Sequence, residues 1–167
     1  MYTGVNMSGK PGEVLLVEDD PADLELTLRA IQRHNLINEV RVARDGVEAL
    51  RLLLGDEQNP PMSPPPRVIL LDLKLPRMSG LDVLRRIKSD PRTRRIPVIM
   101  LTSSQDDRDI AACYEAGANS YIVKPIRFED LVEAMRLVGL FWLVIAAPPL
   151  GGPMADKWDK PEPSAAA

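Results

Sequence analysis

The sequence predicts an α/β fold in which a five-stranded parallel sheet is covered by helices on both faces, a three-layer αβα architecture. Short apolar runs that suit buried strands alternate along the chain with segments of helical periodicity. Parallel strands need crossover connections, and the helical segments between the apolar runs provide them. With 167 residues, of which 45% are hydrophobic, the chain can bury one full core but hardly a second.

The predicted elements follow one another in the order that such a fold needs. The first apolar run, residues 14–17, suits a strand covered on both faces. Asp20 and Pro21 provide an N-cap and a first helical residue, so a helix should begin there and end near His34. The remaining predicted elements are strands at residues 39–43, 67–71, 96–101 and 120–123, and helices at residues 46–54, 81–88, 106–116 and from 128 onward.

The chain between the second helix and the third strand carries two further predictions. Val47, Leu50 and Leu54 recur at helical spacing, so we expect them to face the sheet. Residues 55–66 contain five prolines, which exclude both a helix and a central strand. We therefore expect an extended surface loop there.

Polar side chains follow four of the predicted strands at the point where each strand ends. Open α/β sheets bind ligands at the carboxyl ends of their strands, so these side chains should meet at one edge. The groups are the carboxylates of Glu18, Asp19, Asp20 and Asp72, the Thr102 hydroxyl and the Lys124 ammonium. Two acidic segments, a hydroxyl and a cation thus predict a site that handles a charged ligand.

Composition excludes several other classes of protein. The net charge of −3 gives no general electrostatic reason to bind nucleic acid. The single cysteine, Cys113, excludes an internal disulfide framework, and the start of the chain lacks the pattern of a secretory signal, so the cytosol is the expected compartment. The longest apolar run, residues 137–147, is shorter than the roughly 20 residues needed to span a bilayer, and we expect no membrane insertion.

The order and spacing of these segments resemble the receiver domain of two-component response regulators, the CheY-like, flavodoxin-like fold, over residues 13–138. The step of 30 residues from Asp72 to Thr102 and the step of 22 from Thr102 to Lys124 fit that family, whereas the step from Asp19 to Asp72 is longer and is assigned to the proline-rich loop. The matching motifs are VLLVEDD at residues 14–20, LLDLKLP at 70–76, MSG at 78–80, MLTS at 100–103 and AGANSYIVKP at 116–125.

This resemblance implies that Asp72 is the phosphoacceptor and that the protein binds Mg²⁺. Magnesium prefers oxygen ligands and keeps several waters, so it suits one or two carboxylates, a carbonyl and a phosphoryl oxygen. The implied ligands are the side chains of Asp19 and Asp72, Glu18 through a water, and the backbone carbonyl of Lys74. Asp20 is better explained as the cap of the first helix.

The resemblance also implies a switch. Lys124 would pair with the acidic residues before phosphorylation and with a phosphoryl oxygen afterwards. Thr102 would donate its hydroxyl to another phosphoryl oxygen, and Tyr121 would turn inward as Thr102 moves. The family further implies a cis peptide bond before Pro125. Each residue alone has a simpler explanation, as a helix cap, a surface lysine or a core aromatic, and the joint spacing is what favours the site.

The last predicted helix runs into an apolar pattern wider than one helical face. A stripe at steps of three and four residues should face the sheet or a partner, and the apolar positions beside it mark a surface for a second chain or an extended arm. Folding back onto the chain's own domain is the alternative. The stripe consists of Leu131, Met135, Val138, Trp142 and Ile145, and the positions off it are Leu140, Phe141, Leu143 and Val144.

Residues 141–149 resemble the Phe-Trp and proline-ended tail of single-domain response regulators that are paired with bacterial phytochromes. In those proteins the tail crosses to the other subunit of a homodimer. The resemblance implies a phytochrome-type histidine kinase as partner and a homodimer whose interface contains Phe141, Trp142, Val144 and Pro148. Aromatic side chains dominate interface energetics, so the first two would be the anchors.

These observations divide the chain into four parts. Residues 1–12 form a polar leader, residues 13–138 the receiver domain, residues 139–150 an apolar C-terminal arm, and residues 151–167 a Gly-, Pro- and Ala-rich tail that we expect to be disordered. Only 29 residues follow Val138, too few for an output domain, so the receiver is expected to act alone.

Three functions are weighed on this basis. The first is a phosphoacceptor signalling protein, not an enzyme, with slow self-dephosphorylation at most. The second is a phosphorylation-independent adaptor, or a phosphate sink, with the same fold. The third, an aspartate-nucleophile phosphohydrolase, would carry a second aspartate two residues after the nucleophile, where this chain has Lys74. The coupled groups favour the first function.

Overall fold

The computed structural model describes residues 14–35, 37 and 39–145, with side chains as far as residue 143. Strands and helices alternate along this part of the chain. The strands are β1 (Val14–Val17), β2 (Val40–Ala43), β3 (Val68–Leu71), β4 (Val98–Thr102) and β5 (Ser120–Val123). The helices are α1 (Pro21–Gln32), α2 (Gly46–Leu54), α3 (Gly80–Ser89), α4 (Asp107–Glu115) and α5 (Phe128–Val138), followed by a π-helical segment, Gly139–Ile145.

All strand pairs are parallel, and the strand order across the sheet is β2-β1-β3-β4-β5. Val14 of β1 aligns with Val40 of β2 and with Val68 of β3, which sets the carboxyl ends of the three strands level with one another. The central strands β1, β3 and β4 are buried throughout, because helices cover both faces of the sheet. The predicted αβα architecture and the number and type of its elements are confirmed.

Alternate residues of the central strands point into two separate cores. Leu15 and Ile69 belong to the core under α2, α3 and α4, whereas Val14 and Val68 belong to the core under α1 and α5. This two-sided burial is the reason that the strands are continuous apolar runs rather than alternating patterns. The predicted N-cap Asp20 is confirmed, since its side chain accepts a hydrogen bond from the backbone of Asp23.

The predicted inward face of α2 is wrong at Val47. Leu50 is buried as expected, but Val47 is 45% exposed, and Ala49 and Leu53 take the inward positions. Leu54 is only partly buried at the edge of the core. Seven of the nine residues of α2 are apolar or Gly, the other two being Glu48 and Arg51. Periodicity alone therefore leaves the inward direction undecided, and packing against the sheet selects it.

The proline-rich loop has neither helix nor strand between α2 and β3, as predicted. Most of its side chains are exposed, and Met62 anchors it, because its side chain packs against the core and its N–H donates to the Leu52 carbonyl at 2.8 Å. Among the described residues the cis peptide bond joins Ser63 to Pro64. The cis bond expected before Pro125 is therefore wrong, and the trans form that X–Pro bonds generally prefer occurs there.

The C-terminal end of α5 changes its helical period. Val138 is buried as predicted, but Leu143, which the regular stripe leaves outside, is also buried, with 7% exposure. In a π helix the hydrogen bonds span five residues instead of four, so each turn holds more residues and Leu143 comes nearer to the face of Val138. The guanidinium Nη1 of Arg67 donates to the Leu143 carbonyl at 2.7 Å. This part of the arm therefore folds back onto its own domain, and within the described residues no helix is both long and apolar enough for a membrane span.

Candidate functional site

Asp72 lies directly after β3 on a backbone that its neighbours fix on both sides. Its N–H donates to the Val17 carbonyl at 3.1 Å, and its Oδ1 accepts the N–H of Lys74 at 3.2 Å. The first residue of α3, Gly80, approaches closely enough to donate its N–H to the Leu73 carbonyl at 2.7 Å. The Asp72 side chain is only 9% exposed, so its position is set by the backbone and not by solvent.

Lys124 follows β5 and joins the carboxylates of three other segments. Its Nζ lies 2.5 Å from Oε2 of Glu18, 2.9 Å from Oδ2 of Asp72 and 2.9 Å from Oδ2 of Asp23. An ammonium has three N–H donors, so each donor has one carboxylate partner. The predicted pairing of Lys124 with acidic residues is thus present in the geometry, and the ionic site contains one carboxylate more than the sequence predicted.

The additional carboxylate is Asp23, on the first turn of α1. Asp20 caps that helix by accepting the N–H of Asp23 at 2.8 Å, and this cap orients the first turn toward the carboxyl edge of the sheet. A signal for Asp23 was present in the sequence, because a residue three positions after an N-cap lies beside it. An acidic residue in the first helical turn more commonly serves only the helix dipole, so this signal alone does not place Asp23 in the site.

Burial and ionic partners act in opposite directions on the pKa of Glu18 and on the pKa of Lys124. Desolvation, helped by the nearby Asp72 carboxylate, raises the pKa of Glu18 to about 7, against the hydrogen bond from Lys124. Burial lowers the pKa of Lys124, but its hydrogen bonds to Glu18, Asp72 and Asp23 outweigh this, and the net pKa is raised. Lys124 is therefore a permanent cation between carboxylates that compete for it.

A metal site is compatible with the same edge. Glu18, Asp19 and Asp72 each place one carboxylate oxygen within 4.8 Å of the others, and Asp19 is exposed, which leaves an open side for water ligands. Carboxylate oxygens are the donors that Mg²⁺ and Ca²⁺ prefer, so the residues present fit a hard divalent cation. The Lys74 carbonyl and the water-mediated role of Glu18 stay predictions.

The switch residues predicted at β4 and β5 meet at Ser104. Thr102 is fully buried, and its Oγ1 accepts the Ser104 N–H at 3.4 Å, while the Tyr121 hydroxyl donates to the Ser104 carbonyl at 3.0 Å. The Ser104 hydroxyl donates to Oδ2 of Asp109 on α4 at 2.6 Å. Burial raises the pKa of Tyr121, so its hydroxyl stays a donor at neutral pH. One loop residue therefore links β4, β5 and α4.

The predicted interface residues lie away from the ionic site. Phe141 and Trp142 belong to the π-helical segment, which is bonded to Arg67 at the amino end of β3, the opposite edge of the sheet. Their rings are 4.9 Å apart at an interplanar angle of 84°, an edge-to-face contact. The side chain of Val144 and all of Pro148 lie outside the described residues.

Comparison with known protein families identifies the arrangement. The model of the response regulator receiver domain matches residues 14–136. The chain belongs to this family. The predicted family and its function as a phosphoacceptor in two-component signalling are confirmed, and the carboxylates, Thr102 and Lys124 lie on the segments whose motifs predicted them.

Similar proteins include phytochrome and bacteriophytochrome response regulators. Response regulator Rcp1 from Synechocystis is 38% identical over 81% of this chain and 92% of its own length. Its Mn²⁺-bound crystal structure superimposes with a TM-score of 0.74 at 35% identity, over 84% of this chain and 100% of that one. The phosphorylated cyanobacterial phytochrome response regulator RcpA has a TM-score of 0.75 at 37% identity, with the same coverage. The bacteriophytochrome response regulator RtBRR is 47% identical over 89% of this chain and 90% of its own, with a TM-score of 0.67.

Proposed function

We propose that this protein takes a phosphoryl group from a histidine kinase onto the carboxylate of Asp72, with Mg²⁺ bound by Asp19, Asp72 and the Lys74 carbonyl, and by Glu18 through a water. The observation that carries the proposal is the Asp72–Lys124 ion pair at 2.9 Å, which holds a buried carboxylate and a largely buried cation side by side at a strand end. We place this reaction in the cytosol, where kinases that use ATP act.

The chemistry needs positioning and charge neutralisation more than it needs a strong base. A carboxylate oxygen of Asp72 attacks the phosphorus of a phosphohistidine, the P–N bond breaks, and the imidazole leaves with its electron pair. Bound Mg²⁺ would supply charge neutralisation for the phosphoryl oxygens. One N–H of Lys124 would exchange its carboxylate acceptor for a phosphoryl oxygen, and the Thr102 hydroxyl would donate a hydrogen bond to another phosphoryl oxygen.

The same residues favour a lasting phosphorylated state over turnover. Lys74, two residues after Asp72, is exposed and cationic, and it cannot serve as the general acid and base that an aspartate-nucleophile phosphohydrolase carries there. The Ser104 hydroxyl is bonded to Asp109 and so is not available to activate water. Hydrolysis of the acyl phosphate is therefore expected to be slow, and the protein to act as a signalling component.

We further propose that the partner kinase is of the phytochrome type. The support is the identity of 47% with a bacteriophytochrome response regulator over 89% of this chain, which extends past the receiver domain into the arm. Reconstitution with a purified bacteriophytochrome kinase under red and far-red light tests this. Failure of the kinase to transfer phosphate to this protein, or transfer that is equal under red and far-red light, would contradict it.

A homodimer through the last helix and the arm is the proposed assembly. Leu137 is 50% exposed and Phe141, four residues later, is 52% exposed, so two large apolar side chains lie uncovered next to each other on one helical surface. Trp142 is partly buried against the chain's own core and holds Phe141 in place through their ring contact. Val144 and Pro148 would extend the interface.

Intact mass before and after treatment with acetyl phosphate and Mg²⁺ tests the acceptor. The expected result is a gain of one phosphoryl group that disappears without the metal and in the Asp72→Asn variant. A labelled Asp72→Asn protein would place the acceptor elsewhere. If neither acetyl phosphate nor the kinase labels the wild-type protein, the result would favour a phosphorylation-independent adaptor. Sedimentation of the same samples gives the oligomeric state and the sign of its coupling to phosphorylation.

A further inference from the structure

The three carboxylates that share Lys124 differ greatly in their exposure. The side chains of Glu18 and Asp72 are 3% and 9% exposed, whereas that of Asp23 is 44% exposed, although both Asp72 and Asp23 lie 2.9 Å from the ammonium. Among the described residues the acidic group that could hold a metal ion consists of Glu18, Asp19 and Asp72. Asp23 is therefore in the site as a partner of Lys124 and has no evident role toward the metal.

The position of Asp23 is built into the start of α1. The Asp20 cap accepts the Asp23 N–H at 2.8 Å, and Pro21 is the first residue of the helix. These two features fix the first turn, so the Asp23 carboxylate is held at the open side of Lys124 and does not depend on a flexible loop. Its backbone N–H is bonded to Asp20, which belongs to the acidic segment after β1.

All three N–H donors of Lys124 are in use before phosphorylation. Conversion of the Asp72 carboxylate to an acyl phosphate frees the donor that Asp72 held, and a second donor can reach the phosphoryl oxygens only if Lys124 releases Glu18 or Asp23. Release of Glu18 would leave a buried carboxylate without its cation, which is strongly unfavourable. Release of Asp23 is cheap, since its exposed carboxylate is taken over by water. The second donor for the phosphoryl oxygens therefore comes from Asp23.

We propose that Asp23 is a positioning residue for phosphoryl transfer: it holds Lys124 at the open side of the site before transfer and yields the ammonium to the phosphoryl group afterwards. This rests on the assignment of Asp72 as acceptor. The Asp23–Lys124 pair stabilises only the unphosphorylated protein, and the Asp23 charge also opposes an anionic donor and the phosphoryl group. Both effects have the same sign, so removal of the carboxylate favours the phosphorylated state.

The test uses the full chain with acetyl phosphate and Mg²⁺. Asp23→Asn removes the charge, Asp23→Glu keeps it, and Asp20→Asn serves as a matched control, because asparagine also caps a helix and the variant removes one exposed charge nearby without touching Lys124. The readouts are the acetyl phosphate concentration for half-maximal labelling and the rate of label loss after the donor is removed, each at low and high salt, with thermal unfolding to compare folding.

The expected result is a roughly two- to fivefold lower half-maximal concentration in Asp23→Asn than in Asp20→Asn, as follows from the usual energy of an exposed ion pair. The difference should shrink at high salt, and Asp23→Glu should behave nearly as the wild type. Equal values for Asp23→Asn and Asp20→Asn, or weaker labelling in Asp23→Asn, would overturn the role of Asp23 while leaving Asp72 as acceptor. Label on Asp72→Asn would overturn both.

Discussion

Replacement of Gly80 by alanine should disturb the ionic site from beneath, although the residue bears no functional group. A Cβ atom at this position would lie 2.0 Å from the carbonyl oxygen of Asp72 and 2.7 Å from Cα of Leu73. Both atoms belong to the backbone that carries the proposed acceptor. The added methyl group therefore cannot be accommodated by a rotation of a side chain.

The size of the effect follows from these distances. Ordinary van der Waals contact begins at 3.4 Å, so the oxygen and the new methyl group would have to separate by about 1.4 Å. Overpacking of this kind costs about 1–3 kcal/mol, and the backbone contact places Gly80→Ala at the upper end, about 2–3 kcal/mol. For a protein of this size that lowers Tm by about 4–12 °C. A displacement of about 1 Å in a reacting group can cost roughly 100-fold in rate.

Urea unfolding and the initial rate of labelling by acetyl phosphate measure the two consequences. The matched control is Gly46→Ala, at the start of α2, whose Cβ would meet a methyl group of Val83 at 2.5 Å and the Met78 carbonyl at 3.1 Å. Because a side-chain methyl can move aside, this variant should lose less stability and keep its labelling rate. A Gly80→Ala protein with wild-type stability and labelling rate would refute the reasoning.

Three other predictions concern residues outside the immediate ionic contacts. Thr102→Ala should still be labelled but lose the phosphorylation-dependent change in amide hydrogen exchange of the loop between β4 and α4, and an unchanged response would argue against its switch role. Leu143→Ala should cost about 2 kcal/mol of monomer stability in urea unfolding. Phe141→Ala, at a half-exposed position, should cost less than about 0.5 kcal/mol and should instead raise the dimer dissociation constant measured by sedimentation. The reverse pattern would contradict the proposed arm. Lys88→Met should lose about 1–3 kcal/mol, because its ammonium donates to the carbonyls of residues 94 and 96 and to the amide oxygen of residue 119, and an unchanged urea midpoint would contradict that.

The strands were predictable because their sequence pattern is independent of any partner. A run such as 68–71 is buried on both faces wherever it lies in a parallel sheet, so its composition suffices. The face of α2 was less predictable. Val47 and Leu53 are both apolar, and which of them lies inward depends on how the crossover rotates the helix against the sheet. Tertiary packing decides this, and periodicity in a short, mostly apolar segment does not.

The C-terminal segment shows a second limit of periodicity. The positions from Leu131 to Val138 repeat as an α-helical stripe, and the same rule extended onward places Leu143 off the stripe. The change to a π helix moves it inward, and the hydrogen bond from Arg67 holds its carbonyl there. Hydrogen bonds that span one residue more, together with a cation 76 positions away in the sequence, determine the position of Leu143.

The ionic site separates the residues that spacing can identify from those that it cannot. Asp72, Thr102 and Lys124 each end a strand, and parallel strands bring their carboxyl ends to one edge, so chain order alone predicts their meeting. Asp23 lies on a helix, whose side chains point in several directions, and only one of these directions faces that edge. Its cap fixes this direction, and an exposed carboxylate beside a buried ammonium becomes the partner that is easiest to exchange. Sequence reasoning thus overlooked Asp23, and the contact between Asp23 and Lys124 is the one that phosphorylation is expected to break.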